Sequence, residues 1–449
     1  MTRSPYLRHL PMLMARCRSP YLRHLAMSMG TRVAMIVLRL LRNVLLARIL
    51  GPSERGLFAL LSALPELISA VTSGGLNSAI AYQAAQQRAM GLLLSQVLVF
   101  GCLLGGLATW LGVWLLREFG ASLEITRQLG LLAWLLLLAV PLAVLKNGLL
   151  NLHNASGGVE GYNGLRLIES AAPLLLFLAL FWMWQTAALE AALITWLAGL
   201  GLVVAVGCWW LSHNHELALR WDRQGQNELL HYSAKSHPET LFRQVISRAD
   251  YLFISTLLGS TALGFYAMAS AAADLLTIVT EAVTTPLMKR LLQQGEGIES
   301  LTAMALRLTS TVMICACAGM ALLGEWLIVT LFGAEYRPAY PALLALLPGS
   351  LGLCFVSTLR LDLLGKNRPG SISLATGLGA LLNLVLNLVL IHRYGIVGAA
   401  IASSATYLAV AACLLALYCR LNRVPVWQTL FILPGDLVSV RNLLTRSPA

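Results

Sequence analysis

Arginines stand inside two stretches that are otherwise largely apolar: Arg32, Arg39, Arg42 and Arg48 in the run 27–50, and Arg243 and Arg248 in the run 239–258. A charge inside a lipid-soluble segment costs roughly 2.5–3.5 kcal/mol on insertion scales, so such residues face a protein interior or a water-filled cavity. Guanidinium groups gathered there bind anionic groups in fork geometry. Acceptors and hydroxyls accompany them: Glu66, Ser69, Ser73 and Asn77 after the first run, and Asp250, Asp274, Thr277, Glu281 and Thr285 within and after the second. Such groups hydrogen-bond a hydroxyl-rich ligand, or take up protons or a cation. The stretch Arg39–Asn77 therefore reads as one wall of a transport cavity.

The spacing places these residues on helices. Glu66, Ser69, Ser73 and Asn77 recur at i, i+3, i+7 and i+11, which at 100° per residue keeps them within about 80° of one another. One polar stripe in a bundle is often plain internal hydrogen bonding. Sliding the chain by 208 positions, however, superposes Leu50-Gly51 on Leu258-Gly259, Gly56 on Gly264 and Phe58 on Tyr266. The same shift brings Glu66 onto Asp274, Ser69 onto Thr277, Ser73 onto Glu281 and Asn77 onto Thr285, and Ala191-Ala192-Leu193 onto Ala399-Ala400-Ile401. A parallel repeat of this kind relates two halves by a pseudo-twofold axis along the membrane normal, and favours a shared central cavity.

Composition agrees with a membrane setting. Of 449 residues 58% are hydrophobic and 12% charged, and a mean hydropathy of +0.74 marks a polytopic membrane protein. At about 20 residues per crossing, about twelve helices are predicted: 27–50, 56–81, 91–116, 128–150, 164–184, 187–211, 239–258, 262–288, 300–323, 339–364, 370–391 and 396–419. The expected fold is all-α, two six-helix lobes at 27–212 and 239–419 joined by a cytoplasmic linker at 213–238. A basic tail (1–26) precedes them and a tail (420–449), with an interfacial amphipathic helix after Val426, follows. The basic tail duplicates Arg3-Ser-Pro-Tyr-Leu-Arg-His-Leu10 as Arg18-Ser-Pro-Tyr-Leu-Arg-His-Leu25, and reads as a solvated segment with translation starting as late as Met27. With both termini inside, the cytoplasmic segments and span ends collect most of the Lys and Arg, Lys146, Lys235, Lys289, Arg290 and Lys366 among them. Arg55, Arg117, Arg127, Arg337 and Arg393 fall outside, the longest outer loop lying near Gly324–Pro338. That asymmetry accounts for most of the net charge of +12 without nucleic acid.

The repeat also ranks the charges. Arg32, Arg39 and Arg42 share an arc of about 80°, whereas Arg48 points about 120° away from Arg42, at a helix C-terminal turn where a cation suits the dipole. Arg48 therefore reads as structural. Arg42 maps onto Asp250, which makes an ion pair between them an alternative to ligand binding and leaves Arg39 and Arg248 for the ligand. Arg166 and Glu169 can pair within one turn. Arg307, Arg360 and Asp362 lie near inner interfaces, and Asn383 and Asn387 read as glue between helices. Of the eight cysteines, Cys102, Cys208, Cys315, Cys317, Cys354 and Cys413 lie in apolar runs without metal-ligand spacing, and read as small buried hydrophobes.

Several segments carry a family resemblance: Ala47-Arg-Ile-Leu-Gly-Pro-Ser-Glu-Arg-Gly-Leu-Phe-Ala59 with Leu64-Pro65 and Gly74-Gly75-Leu76, then Arg248-Ala-Asp250 with Leu263-Gly-Phe-Tyr266. Leu331-Phe-Gly-Ala-Glu-Tyr336 with Pro348-Gly349 follows, and Asn387-Leu-Val-Leu-Ile391 runs into Tyr394-Gly-Ile-Val-Gly-Ala-Ala-Ile-Ala402. In this order they resemble the multidrug/oligosaccharidyl-lipid/polysaccharide (MOP) superfamily, in its polysaccharide-biosynthesis and O-antigen flippase branch. The resemblance implies a MATE-like fold whose first, second, seventh and eighth helices line the cavity. It also implies that first-helix arginines hold a pyrophosphate, as in the related lipid II flippases. Arg42 falls on a motif arginine, but Ile36 stands where those proteins carry another, which argues against the peptidoglycan precursor and leaves Arg39 as a substitute.

The expectation is a flippase, not an enzyme, that moves an undecaprenyl-pyrophosphate-linked oligosaccharide across a bacterial inner membrane by alternating access. Arg39, Arg42 and Arg248 would hold the diphosphate. Glu66, Ser69, Ser73, Asn77, Asp250, Asp274, Thr277, Glu281 and Thr285 would meet sugar hydroxyls or couple to protons or sodium. No cofactor, metal site or nucleic-acid partner is expected, whereas the bilayer and the polymerase and glycosyltransferases of the same pathway are. A cation-driven multidrug antiporter is the first alternative, although it would want carboxylates on the first helix. A polymerase or ligase would need longer outer loops, and a non-transporting partner of a glycan assembly complex is the third reading.

Overall fold

The computed structural model describes residues 20–73, 75–76, 79–80, 83, 89–119, 131–155, 159–183, 188–214, 223–277, 298–366 and 368–430. Every element among the described residues is helical: α1 Pro20–Thr72, α2 Met90–Phe119, α3 Leu131–Ala155, α4 Val159–Met183, α5 Ala188–Asn214, α6 Arg223–Leu258 and α7 Ser260–Asp274. After them come α8 Ile298–Phe332, a 3₁₀ turn Ala334–Ala339, α9 Tyr340–Gly365, α10 Pro369–Asn422 and the short α11 Trp427–Leu430.

Two of these helices are broken where the sequence asks for it. Gly51 takes φ 68° and ψ 176° inside α1, and Gly395 takes φ 59° and ψ −138° inside α10. A residue with a side chain rarely occupies that left-handed region. The breaks split α1 into arms 20–50 and 52–72, and α10 into arms 369–394 and 396–422. Pro52 opens the second arm of α1, where its missing N–H costs nothing. At the repeat-related position Gly259 takes φ 84° between α6 and α7, so the two half-chains turn alike.

The chain divides into two compact units, Met1–Arg42 with Thr72–Ser233, and Asn43–Val71 with Ala234–Ala449. In the first, small residues let helices approach closely. A Cβ on Gly105 of α2 would sit 2.6 Å from Pro141 Cα of α3, and one on Gly199 of α5 would sit 2.7 Å from Pro173 Cγ of α4. In the second, Ala59, Ala63, Leu263, Met268, Ala269, Leu343 and Ala399 form the centre of a buried core. Each unit also leaves large apolar side chains uncovered: Leu103, Leu107, Trp110 and Trp114 on α2, and Leu374, Leu378, Leu381, Val385 and Leu388 on α10. Continuous apolar faces of this size suit lipid and not water. The protein is a multi-pass membrane protein.

Seven helices among the described residues are long and apolar enough to cross a membrane, with α10 counted once despite its break. The longer elements outside that set are α1, α6 and α7. The apolar runs of α1 and α6 are broken by Arg39, Arg42, Arg48, Arg55 and Glu66 and by Arg243, Arg248 and Asp250, and α7 is described for only 15 residues. These are the first, second, seventh and eighth predicted spans. The twelve-crossing count remains an expectation.

Some boundaries differ from the sequence reading. α6 begins at Arg223, well before 239, and runs through Pro238. The outer loop expected near Gly324–Pro338 is mostly helix, because α8 continues to Phe332 before Gly333 turns the chain at φ 116°. α7 ends at Asp274, and its predicted continuation beyond 277 lies outside the described residues. The interfacial helix expected after Val426 is described only as Trp427–Leu430. Among the described cysteines only Cys354 is buried; Cys102, Cys315 and Cys413 are exposed, so the reading of all six as buried residues fails.

Candidate functional site

The arm 52–72 and α7 meet at their repeat-related glycines. A Cβ on Gly56 would collide with the Ser260 carbonyl, and one on Gly264 with the Pro52 carbonyl. Two backbones in direct contact fix the height of everything along both helices. Next to this contact the Ser53 and Ser260 hydroxyls are 3.0 Å apart. Arg55 sits here too; counted as an outer-loop residue by sequence, it is buried, donates to Asn43 Oδ1 at 3.2 Å and lies over the Phe58 ring. Arg48 donates to the carbonyls of Thr330 and Leu331 at 2.6 and 2.9 Å. Those carbonyls end α8, where a cation compensates unsatisfied acceptors and the helix dipole. Tyr336 completes the brace by donating its hydroxyl to the Ala47 carbonyl at 3.1 Å.

On this frame Arg248 of α6 faces Glu66 of the 52–72 arm, with Nη2 3.8 Å from Oε2. The two side chains are 35% and 41% exposed, so the pair is open to exchange with a ligand. The guanidinium also lies 5.3 Å above the Tyr251 ring, and the carboxylates of Asp274 and Asp250 add to its field. Arg248 is thus held by its own unit in a loose ion pair, where the sequence reading left it bare.

Asp250 has a different setting. It is buried, and its carboxylate accepts from the Tyr266 hydroxyl at 2.5 Å, the Tyr251 N–H at 2.9 Å and the Ser403 hydroxyl at 3.5 Å. A buried carboxylate needs such donors, since an unpaired one would be several kcal/mol too costly, at about 3–5 kcal/mol for a broken buried pair. Farther along α10, Asn387 donates to Asn383 Oδ1 at 3.0 Å, and Asn383 reaches Thr406 of the other arm at 3.4 Å. Both asparagines are fully buried, as glue between helices would be.

In the other unit Arg39 is exposed and Arg42 half-buried on the 20–50 arm, and Ser73 is buried beyond the end of α1. Ser69 is buried, Asp274 is exposed and Thr277 donates to the Asp274 carbonyl at 2.6 Å, all three in the second unit. Asn77, Glu281 and Thr285 lie outside the described residues. Lys146, counted among cytoplasmic cations, is instead buried in α3 and pairs with Glu169 of α4 at 2.8 Å. Glu169 also takes Arg166 at 2.9 Å, as the sequence spacing predicts. The inner-interface charges are tied as well: Arg360 to Glu239 at 3.1 Å, and Asp362 to Lys366 at 3.0 Å and Thr302 at 3.1 Å. No group of three or more His, Cys, Asp or Glu able to hold a metal occurs among the described residues.

Residues 45–341 match the family described as polysaccharide biosynthesis protein. The chain belongs to that family. The matched segment runs from the braced arm of α1 through α9's first turn and includes Glu66, Arg248, Asp250 and Asp274. A probable low-salt glycan biosynthesis flippase of Haloferax volcanii is 25% identical over 223 residues, 49% of this chain and 47% of that protein. The chain thus spans about half the length of this relative. Among solved structures, the lipid II flippase MurJ in an inward closed conformation superposes with a TM-score of 0.73 at 17% identity, covering 93% of each chain. An inward-facing multidrug resistance MATE family transporter of the MOP superfamily gives 0.65 at 15% identity, covering 88% of this chain and 94% of that one. These likenesses give the family member the MOP superfamily fold.

Sequence reasoning missed Tyr251, Tyr266 and Ser403 around Asp250. One signal was present: the repeat sets Tyr266 against Phe58, adding a hydroxyl at the position that reaches the carboxylate.

Proposed function

We propose that the protein is a flippase that carries an undecaprenyl-pyrophosphate-linked oligosaccharide across a bacterial inner membrane by alternating access, for O-antigen, capsule or exopolysaccharide biosynthesis. The observation that carries this reading is where the charges lie in a member of a polysaccharide biosynthesis family: Arg39, Arg42 and Arg248 interrupt the apolar runs of α1 and α6, which fall outside the seven described helices that are long and apolar enough to cross a membrane. A diphosphate cannot shed its hydration in lipid without compensating charge. Arg39, Arg42 and Arg248 supply that charge. The diphosphate competes with Glu66 for Arg248, so loading breaks a loose ion pair and unloading restores it. Ser69, Ser73, Asn77, Asp274, Thr277, Glu281 and Thr285 meet sugar hydroxyls. Asp250, enclosed by Tyr266, Tyr251 and Ser403, serves the coupling ion, a proton or sodium. Both termini are cytoplasmic, a cytoplasmic linker joins the two six-helix lobes, and no bond in the cargo is made or broken. The polymerase and glycosyltransferases of the same pathway supply and consume that cargo.

Glycan export in a strain lacking its own flippase tests this reading. Arg39→Ala with Arg42→Ala is expected to abolish export at normal protein abundance; export at the wild-type level would remove the cationic-cavity idea. The likeness to a multidrug MATE transporter, together with the carboxylates Glu66, Asp250 and Asp274, favours a cation-coupled drug antiporter as the second reading. Resistance conferred on an efflux-deficient strain, with no glycan export, would favour it.

A further inference from the structure

Arg55 carries its charge into the core of the second unit, with only 6% of the residue exposed. Its partners are neutral: Nη2 donates to Asn43 Oδ1 at 3.2 Å, and the guanidinium lies 5.4 Å from the centre of the Phe58 ring. Nε is buried with no acceptor among the described residues. The electrostatic neighbours of the group are the Tyr251 and Tyr336 side chains. Glu54, next in sequence, and Glu335, near Gly51, are exposed and outside that set. Two helix N-termini add to the positive field: Arg55 stands in the first turn of the 52–72 arm, and α7, whose first turn has no side-chain cap, begins at the same contact. A buried cation without a countercharge is costly, and in a membrane helix such a residue marks a ligand pathway.

Gly51 and Gly259 mark one level, since the turns that follow them touch through Gly56 and Gly264. Arg55 comes four residues after Gly51 and Arg248 eleven before Gly259. At about 1.5 Å per residue Arg55 lies about 6 Å from that level and Arg248 about 16 Å. Tyr251 sits between them: Arg248 covers its ring, and Arg55 bears on its hydroxyl. We infer that Arg55 is a second anion-binding residue, which receives the diphosphate of the cargo from Arg248 once the contact between Gly56 and Gly264 parts. In the orientation of the flippase reading the turns at Gly51 and Gly259 are outer ones, so this handover runs outward. A phosphate supplies what Asn43 and Phe58 do not, a negative charge together with acceptors for Nε and the Nη groups. The assignment rests on the flippase reading and adds the residue that takes the cargo on the outer side.

Full-length wild-type protein, Arg55→Gln and Arg55→Lys, each reconstituted at equal incorporation, test it by the transbilayer movement of a fluorescent undecaprenyl-pyrophosphate-linked oligosaccharide, with Tm measured in detergent. Arg55→Gln is expected to move the probe at least 10-fold more slowly, while its Tm matches or exceeds that of wild type because an uncompensated buried charge is gone. Arg55→Lys, which keeps the charge, is expected to stay within about threefold of wild type. Movement by Arg55→Gln within twofold of wild type would overturn the inference while leaving the flippase reading intact. A Tm for Arg55→Gln lowered by more than about 5 °C would assign Arg55 to packing and overturn it as well, and so would an Arg55→Lys rate as slow as that of Arg55→Gln, since charge would then not be what counts. Wild-type vesicles that move the probe no faster than protein-free ones would overturn this inference together with the flippase reading.

Discussion

Arg248 and Glu66 stand 3.8 Å apart on two different helices, both partly exposed, with the Tyr251 ring beneath the guanidinium. An open ion pair at that distance contributes at most about 1 kcal/mol to stability. Glu66→Gln is therefore expected to leave abundance and thermal stability unchanged, while it raises the affinity of pyrophosphate for Arg248 severalfold. Arg248→Ala is expected to lower that affinity about 10-fold. Titration of purified variants with pyrophosphate checks both.

Tyr266 is the strongest donor to Asp250, and losing it leaves a buried acceptor short of a partner. Tyr266→Phe is expected to destabilise the protein by about 1–3 kcal/mol. Asp250→Asn is expected to cost less, because an amide in the same pocket carries no charge to compensate. Thermal unfolding in detergent, with both variants side by side, measures the order.

The contact between Gly56 and Gly264 has no room for a methyl group, since each Cβ would meet a backbone carbonyl. Overpacking typically costs about 1–3 kcal/mol, and a backbone cannot move aside as a side chain can. Gly264→Ala is expected to lower folded yield sharply, whereas Gly106→Ala, which has open space around it, is expected to be neutral. Size-exclusion profiles of the two variants give the comparison.

Arg48 holds the end of α8 by two carbonyls and does not belong to the ligand-binding set. Arg48→Ala is expected to reduce stability by about 1 kcal/mol, as for a lost charged helix cap, while cargo transport per folded molecule stays constant. Normalising export to the amount of folded protein separates the two effects.

The helices, their breaks at Gly-Pro and Tyr-Gly, and the parallel repeat could all be read from the sequence, because lipid solubility and glycine stereochemistry act locally. Gly51 and Gly259 share their unusual backbone and lie one repeat apart. Partner choice was less legible. Lys146 counted as a cytoplasmic cation at the inner end of its span, yet it is buried against Glu169 in the next helix. Arg55 looked exposed in its turn, and packing of the 52–72 arm buries it. Repeat symmetry set Asp250 opposite Arg42 but gave no sign of the donors that reach its carboxylate within its own unit, Tyr266 from α7 and Ser403 from α10.

Transbilayer movement of a fluorescent undecaprenyl-pyrophosphate-linked oligosaccharide in proteoliposomes tests the central claim most directly. Wild-type protein is predicted to expose the probe to an added quencher, and the triple variant Arg39→Ala, Arg42→Ala, Arg248→Ala is predicted to slow this at least 10-fold at equal incorporation. Equal rates in wild-type protein, the triple variant and protein-free vesicles would contradict the account.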